Sequence, residues 1–147
     1  MFAAVQARLE PIAALGKRIQ PAASLSELMA RNQAPQTCPA AFVLPSGIRG
    51  GSVDAMAGLF KQDIAEMLSI VLFLRSAGDA TGGKMTDTLV PIRNAVIRAI
   101  VGWAPQSDWL DGETVGEFSL SRGTLVSLSA GLLTYQLDFN LNDQLRI

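Results

Sequence analysis

The sequence predicts an α+β fold within the broad α/β class, in which an antiparallel sheet with strands of mixed length carries two or three helices on one face. Residues 133–142 alternate apolar and polar side chains without exception, as the residues of a half-buried strand do. Residues 61–75 form a second long strand-like run, and residues 86–101 place apolar side chains at helical spacing. A chain of 147 residues has the size of one domain, so we expect a single domain over 1–147.

Two short helices are predicted near the N-terminus. The first follows from the helical spacing of Phe2, Val5, Leu9 and Ile12. Pro11 interrupts it, because proline has no backbone N–H to donate within a helix. Residues 24–27, Ser-Leu-Ser-Glu, fit a capping box, whose Ser and Glu side chains bond the first free backbone N–H groups. The second helix is therefore expected to begin there, and its predicted buried side consists of Leu25, Leu28 and Met29.

Residues 40–44 predict a short strand, since the prolines on either side, Pro39 and Pro45, cannot extend a hydrogen-bonded ladder. Residues 46–60 then predict a long irregular loop that is rich in glycine. The loop carries more large apolar side chains than a solvated linker should, and long loops of this kind are functional or disordered. We therefore predict an interaction loop that becomes ordered on a partner. Its candidate contact residues are Ile48, Arg49, Val53, Met56, Leu59 and Phe60.

The C-terminal third predicts an antiparallel meander. Three strand-like runs cover residues 114–120, 124–128 and 132–141, with turns at 122–123 and 130–131. The apolar face of the last run is expected in the core. The opposite face is hydrogen-bonding and nearly uncharged, which favours a solvated wall or a subunit contact over a catalytic surface. The candidate contact residues on that face are Thr134, Gln136, Asp138 and Asn140.

Three further residues are candidates for subunit contacts. Arg75 ends an apolar strand and Asp79 follows shortly after, so the two are candidates for an ion pair between subunits. Trp109 has acidic neighbours in a polar connection, and large aromatic side chains in such positions anchor protein contacts. Trp103, one residue beyond the helix-ending Gly102, is expected to plug the core instead.

Composition argues against most enzymatic and nucleic-acid-binding functions. The chain has no histidine and one cysteine, Cys38, so the commonest general base, metal ligand and catalytic dyad are missing. We expect no enzyme, no metal and no cofactor. A net charge of −1 does not favour duplex binding, which needs clustered Lys and Arg. Charged residues make up only 17%, against about a quarter in an average domain, so we expect an apolar surface that meets a partner.

No membrane association is expected. The longest apolar run, residues 70–74, is far shorter than the roughly 20 residues that cross a bilayer. The first ten residues lack the positively charged start of a secretory signal, so we expect the protein to be made and kept in the cytoplasm.

A glycine-rich motif offers an alternative of another class. Residues 78–84 fit the phosphate-binding pattern G-x-x-x-x-G-K between a predicted strand and a predicted helix. A small cytosolic nucleotide-binding domain is the function this would imply. Met85, however, stands where a Ser or Thr hydroxyl should bind Mg²⁺, and a turn before a helix explains the glycines equally well.

The order of these features resembles the tail terminator family of long-tailed bacteriophages. The features are the N-terminal helix, Pro-Ala-Ala-Phe-Val-Leu-Pro at 39–45, the glycine-rich loop, the strand at 68–75 leading into Asp-Ala-Thr-Gly at 79–82, the helix ending in Gly102 and Trp103, and the final strand. One departure is Thr-Tyr-Gln at 134–136, where bulkier aromatic residues are expected.

The resemblance implies a structural virion protein that forms a hexameric ring. Such a ring would cap the phage tail tube at the head-proximal end of the tail, end tube polymerisation and provide the surface joining the tail to the head-neck. The implied partners are other copies of the chain, the tail tube protein and a head-neck connector protein, with DNA only as passing cargo. Assembly would take place in the host cytoplasm. A neck or tail-completion subunit, or a tail tube subunit, remains an alternative assembly role.

Overall fold

The computed structural model describes residues 1–76, 83–105 and 116–147. Its strands are β1 (Ile19–Pro21), β2 (Ala40–Asp54), β3 (Lys61–Arg75), β4 (Phe118–Ser129) and β5 (Leu132–Arg146). Its α-helices are α1 (Phe2–Leu9), α2 (Ala22–Ala30) and α3 (Gly83–Ile100), and short 3₁₀ turns cover Ala13–Leu15 and Met56–Gly58. The strands form one mixed sheet in the order β1-β2-β3-β5-β4, in which only the β1–β2 pair is parallel. The predicted α+β class is confirmed.

The centre of the sheet is the pair of long strands β3 and β5. They pair antiparallel over their whole length, from Lys61 opposite Arg146 to Arg75 opposite Leu132. The alternation in β5 is confirmed, because Leu133, Leu137, Phe139 and Leu141 are buried and Tyr135 packs against the same core. β4 and β5 form a hairpin in which Ala130 and Gly131 both have positive φ, at 51° and 75°. A two-residue turn of this form requires positive φ at both positions, which glycine adopts without strain.

The two faces of the sheet are covered differently. We call the face that packs against α1 and α3 the helix face and the opposite one the back face. The main core lies on the helix face, where the apolar side of α3 meets β3 and β5. The expectation of helices on one face therefore holds for α1 and α3. α2 lies on the back face instead, where Leu25 and Leu28 pack against the buried rings of Phe42 and Phe73.

The predicted loop at 46–60 is wrong, since most of it is strand. β2 continues through Pro45 and the glycines to Asp54, paired with β3 down to Lys61. Two irregularities in the register, between Pro45 and Gly47 and between Gly50 and Val53, absorb the residues that do not fit a regular ladder. Only Met56–Gly58 form a turn between the strands.

Three smaller predictions are also corrected. The turn at 122–123 does not exist, because β4 runs through it as one strand with irregularities on either side. The capping box is wrong, since α2 begins at Ala22 and no side chain caps it. Met29 is 69% exposed and is not part of its buried side. The three-residue β1 was not predicted at all.

Candidate assembly surfaces

The candidate residues between 48 and 60 lie together at one end of the sheet. We call residues 46–54 of β2, the 3₁₀ turn and residues 61–67 of β3 the distal hairpin. Its end carries large apolar side chains in solvent, with Met56 79% exposed, and the neighbouring C-terminal Ile147 is 75% exposed. Val53 and Leu59 are exposed as well, whereas Phe60 is half-buried. Phe60 and Ile147 exchange two backbone hydrogen bonds, at 3.0 and 2.9 Å, which ties the C-terminus to this end.

Side-chain hydrogen bonds join the two strands of the distal hairpin to each other and to β5. Ser52 Oγ donates to Asp63 Oδ2 at 2.5 Å, and Gln144 Nε2 donates to Asp63 Oδ1 at 3.2 Å. Both bonds lower the pKa of the exposed Asp63 carboxyl, and the bond from Ser52 has the larger effect. The apolar residues of this segment therefore stand on a paired, hydrogen-bonded hairpin.

The polar face of β5 lies on the back face and belongs to a row that crosses four strands. We call this set the polar row; it consists of Ser46, Ser69, Arg122, Gln136 and Asp138. Asp138 Oδ1 accepts from Ser69 Oγ at 2.6 Å and from Gln136 Nε2 at 2.8 Å. Ser46 and Ser69 share a hydroxyl–hydroxyl hydrogen bond. The residues come from β2, β3, β5 and β4 in turn, so one row of side chains links the sheet from edge to edge.

Asp138 is the acceptor at the centre of the row. Its burial alone would raise the pKa of the carboxyl, but the hydrogen bonds from Ser69, Gln136 and Arg122 outweigh burial and lower the pKa below its usual value. The Arg122 guanidinium forms an ion pair with Asp138 at 3.4 Å, although the Arg122 side chain is 70% exposed and that of Asp138 only 21%. The prediction of a solvated wall is therefore corrected at Asp138, which is largely enclosed by donors.

The polar row lies along a shallow groove of about 470 Å³. Arg49 and Arg122 line the groove, together with Asn140 of β5. Thr134, further along the same face, is buried, at 8% exposure. The carboxylate that lines the groove, that of Asp138, already accepts hydrogen bonds from three residues. The arrangement suits a neutral polar contact surface better than proton transfer.

We expect Asp138→Asn to destabilise the protein by about 1–2 kcal/mol at pH 7, because an amide cannot accept all the hydrogen bonds that the carboxylate accepts. The folded-state pKa lies below the ordinary value of 3.8, so the stabilisation is complete above that value and is lost as the pH falls through the folded-state pKa. Urea unfolding at several pH values should show the difference from wild type shrinking in acid. Arg122→Gln is the control: it removes an exposed ion pair and should cost less than about 1 kcal/mol. A larger loss from Arg122→Gln than from Asp138→Asn would contradict this account.

The remaining sequence candidates are not brought together by the described part of the chain. Arg75 is exposed and donates to the Pro35 carbonyl at 3.3 Å. Asp79 and Trp109 lie outside the described residues, as do residues 78–82 of the glycine-rich motif. Lys84 is exposed in the first turn of α3, and Met85 beside it is 2% exposed within the main core. The Met85 position is thus a core position, which accounts for an apolar residue there.

The outer edge of β4 is a candidate surface that the sequence analysis missed. All residues of β4 after Phe118 are exposed, and four of them are large and apolar. The sequence feature that could have revealed this surface is the adjacent pair Leu125 and Val126, which puts apolar side chains on both faces of a strand. The supposed turn at 122–123 hid it, because it divided the strand into two short runs.

Trp103 has the core role that the sequence predicts. Its ring stacks on Phe118, with centroids 5.9 Å apart, and packs against the main core. The Arg8 guanidinium lies 5.2 Å from the centre of the indole ring and donates to the Ala99 carbonyl. The contact fastens α1 to the end of α3.

Within the described ranges, no helix is long and apolar enough to span a bilayer, and no group of three or more potential metal ligands occurs.

Comparison with known proteins places the chain in a family. No curated protein matches the sequence. The family model described as phage tail terminator protein matches residues 2–147. The chain therefore belongs to the phage tail terminator family, a family of structural proteins of the virion tail that interact with other tail and head proteins.

Proposed function

We propose that the chain forms a hexameric ring that binds the last ring of the tail tube, ends tube polymerisation and offers its other side to a head-neck connector protein. The match of the family model to residues 2–147 carries this proposal. The ring would act at the head-proximal end of the tail after assembly in the host cytoplasm. DNA would pass through its lumen as cargo.

The distal hairpin supplies a surface for another tail protein. Its end presents Met56, Leu59 and Ile147 in solvent, each an apolar side chain that water contact disfavours. These residues stand on the hairpin or on the C-terminus bonded to it, so an apolar contact here needs little ordering of the backbone. We assign this end of the sheet to the contact with the tube or with the head-neck protein.

The polar row supplies a surface suited to the lumen. Its one acidic and one basic side chain, Asp138 and Arg122, already pair with each other. Arg49 adds a single further charge to the groove, so the surface attracts phosphates only weakly, which favours free passage of DNA. The same observations favour a function without catalysis, since the carboxylate is held as a hydrogen-bond acceptor.

The test is tube termination in vitro. Tail tube subunits polymerised with the protein should give short tubes with an additional ring at one end, seen by electron microscopy. Tubes of unchanged length, or filaments formed by this protein alone, would contradict the proposal, and filaments would indicate a tube subunit.

The variant Met56→Lys tests the distal hairpin in the same assay. Rings should still form, whereas tubes should grow past the length set by the wild type, because a charge replaces an exposed apolar contact. Met29→Lys is the matched control, since it changes another largely exposed methionine, on α2. Equal activity of Met56→Lys and wild type would exclude this end of the sheet from the tube contact.

A further inference from the structure

The outer edge of β4 has little of the protection that usually prevents an edge strand from pairing. β4 neighbours only β5, and within residues 1–76, 83–105 and 116–147 no backbone hydrogen bond reaches its outer side beyond Phe118. Edge strands of monomeric proteins are usually protected by lysine, proline or other charges. β4 has no proline and a single charged residue, Arg122. Its exposed large apolar side chains are Leu120, Leu125, Val126 and Leu128.

A second free edge lies on the opposite side of the sheet. β1 covers only Ala41, Phe42 and Val43 of β2, which leaves the outer edge of residues 44–54 without a neighbouring strand among the described residues. This edge is about as long as β4. It carries two exposed apolar side chains, Ile48 and Val53.

The exposed apolar side chains of the two edges point to the same face of the sheet. Ile48 and Val53 pair with Glu66 and Gln62 of β3, positions in phase with the buried Leu68, so both point to the helix face. Leu125 pairs with Tyr135 of β5 and points to the same face. If the two edges meet with their faces aligned, apolar side chains therefore lie beside apolar side chains.

The strand directions and the bulges match as well. Successive strands from β2 to β4 are antiparallel, so a rotated copy brings β4 antiparallel to the β2 of its neighbour. Each edge also has one regular run between two register irregularities, at residues 47–50 of β2 and 122–125 of β4. We propose that these edges join neighbouring copies of the chain, with Ile48 of one copy opposite Leu125 of the next.

The register follows from face and charge. Ile48 can oppose only residues of the helix face, which in the regular run of β4 are Gly123 and Leu125. Opposite Gly123, it would bring Arg49 beside Arg122, and like charges directly opposite each other destabilise a sheet. Opposite Leu125, it pairs two apolar side chains and places Arg49 beside Thr124. The second register is the favourable one.

The contact joins two different edges, so it is heterologous and generates a closed ring when the rotation between copies closes. It rests on the proposed ring and specifies how the ring is held together. The back face, with the polar row, would then remain outside the contact between copies.

Cysteine cross-linking tests the register. In a Cys38→Ser background, a chain carrying Ile48→Cys and Leu125→Cys should form disulfides between copies with oxidised glutathione, which accepts the two electrons and two protons of each thiol pair. Denaturing gels should show a ladder from the 15.6 kDa monomer upward to the full ring. The control pair Ile48→Cys and Leu128→Cys lies two ladder positions, about 7 Å, out of register and should stay monomeric.

Three outcomes would overturn the inference. One is dimers from Leu125→Cys alone, which would indicate β4 paired with β4 across a two-fold axis. Another is a ladder from the control pair in place of the first pair. The third is no cross-link in protein that forms rings and terminates tubes, in which case the proposed function stands and only the edge contact fails. Absence of rings in the wild type would instead refute the proposed function.

A charge variant gives an independent measurement. Leu125→Lys should lower the molar mass by light scattering to that of the monomer, with at least about a tenfold weaker association, because lysine protects a strand edge from pairing. Circular dichroism should show the wild-type secondary structure, since the Leu125 side chain is half exposed in the single chain, and melting should differ from wild type only by the stability that the ring contact adds. Met29→Lys, on α2, should leave the mass unchanged. A Leu125→Lys protein that still forms rings would overturn the edge contact.

Discussion

Phe139→Ala is expected to destabilise the protein by about 3–5 kcal/mol, the largest loss we predict for a single substitution. Phe139 is 0% exposed in the middle of β5, with Leu68 opposite it on β3, also at 0%. Removing the ring leaves a cavity that the paired strands on both sides cannot close. Domains of this size are stable by about 5–15 kcal/mol, so the variant would lose a large fraction of its stability. Urea denaturation followed by circular dichroism measures the loss.

Leu120→Ala is the matched control for this prediction. Leu120 pairs with Phe139 from the other side, on β4, and points to the same face, but it is 42% exposed. Its loss should cost less than about 1.5 kcal/mol, because part of its surface is already in water. If the two variants lost the same free energy of unfolding, the main core would not be centred on β5.

Phe42→Ala is expected to cost about 3 kcal/mol and to release α2 in particular. Phe42 is 1% exposed on the back face and meets the ring of Phe73 edge-on, with centroids 5.5 Å apart. Leu25 and Leu28 of α2 pack against this small cluster, and no residue of α2 is fully buried. The helix therefore depends on a few contacts, and it should open before the sheet does.

Hydrogen exchange distinguishes this local effect from general unfolding. In Phe42→Ala, the amides of α2 should exchange much faster than in the wild type, whereas those of β5 should keep their protection. Met29→Ala is the control, because Met29 lies on the same helix with its side chain in solvent. Unchanged exchange in α2 would show that something other than the Phe42 cluster holds the helix.

The periodic spacing of apolar residues correctly predicted the strands and helices that bury one face or both faces in the core. The alternation in β5, the apolar run in β3 and the helical spacing in α3 each record which side chains are buried. The order of such elements along the chain also supported the resemblance to the tail terminator family, which the match over residues 2–147 bears out. These features could be predicted because burial leaves a periodic trace in the sequence.

The elements that the sequence misassigned are strands whose structure depends on the neighbouring strand. Residues 46–54 contain glycines that weaken a strand, yet β3 offers them a continuous ladder, and two bulges absorb the misfit. Gly123 reads as a turn, but in β4 the hydroxyl of Tyr135 lies 2.7 Å from where a Cβ at Gly123 would be, so the tyrosine covers the gap left by the missing side chain. Neither effect is visible without the neighbouring strand.

The sequence by itself determined the α+β class, the core face of β5, the absence of histidine chemistry and the family. Only the tertiary structure decided that α2 lies on the back face and that Asp138 is enclosed by donors from three other residues. It also decided that β4 and the outer part of β2 have no strand on their outer side within the described ranges. The physical reason is that burial of one face makes apolar residues recur at the period of the strand or helix, which can be read locally. Strand neighbours and side-chain hydrogen bonds join residues far apart in sequence, as Ser69 and Asp138 are, and leave no such period.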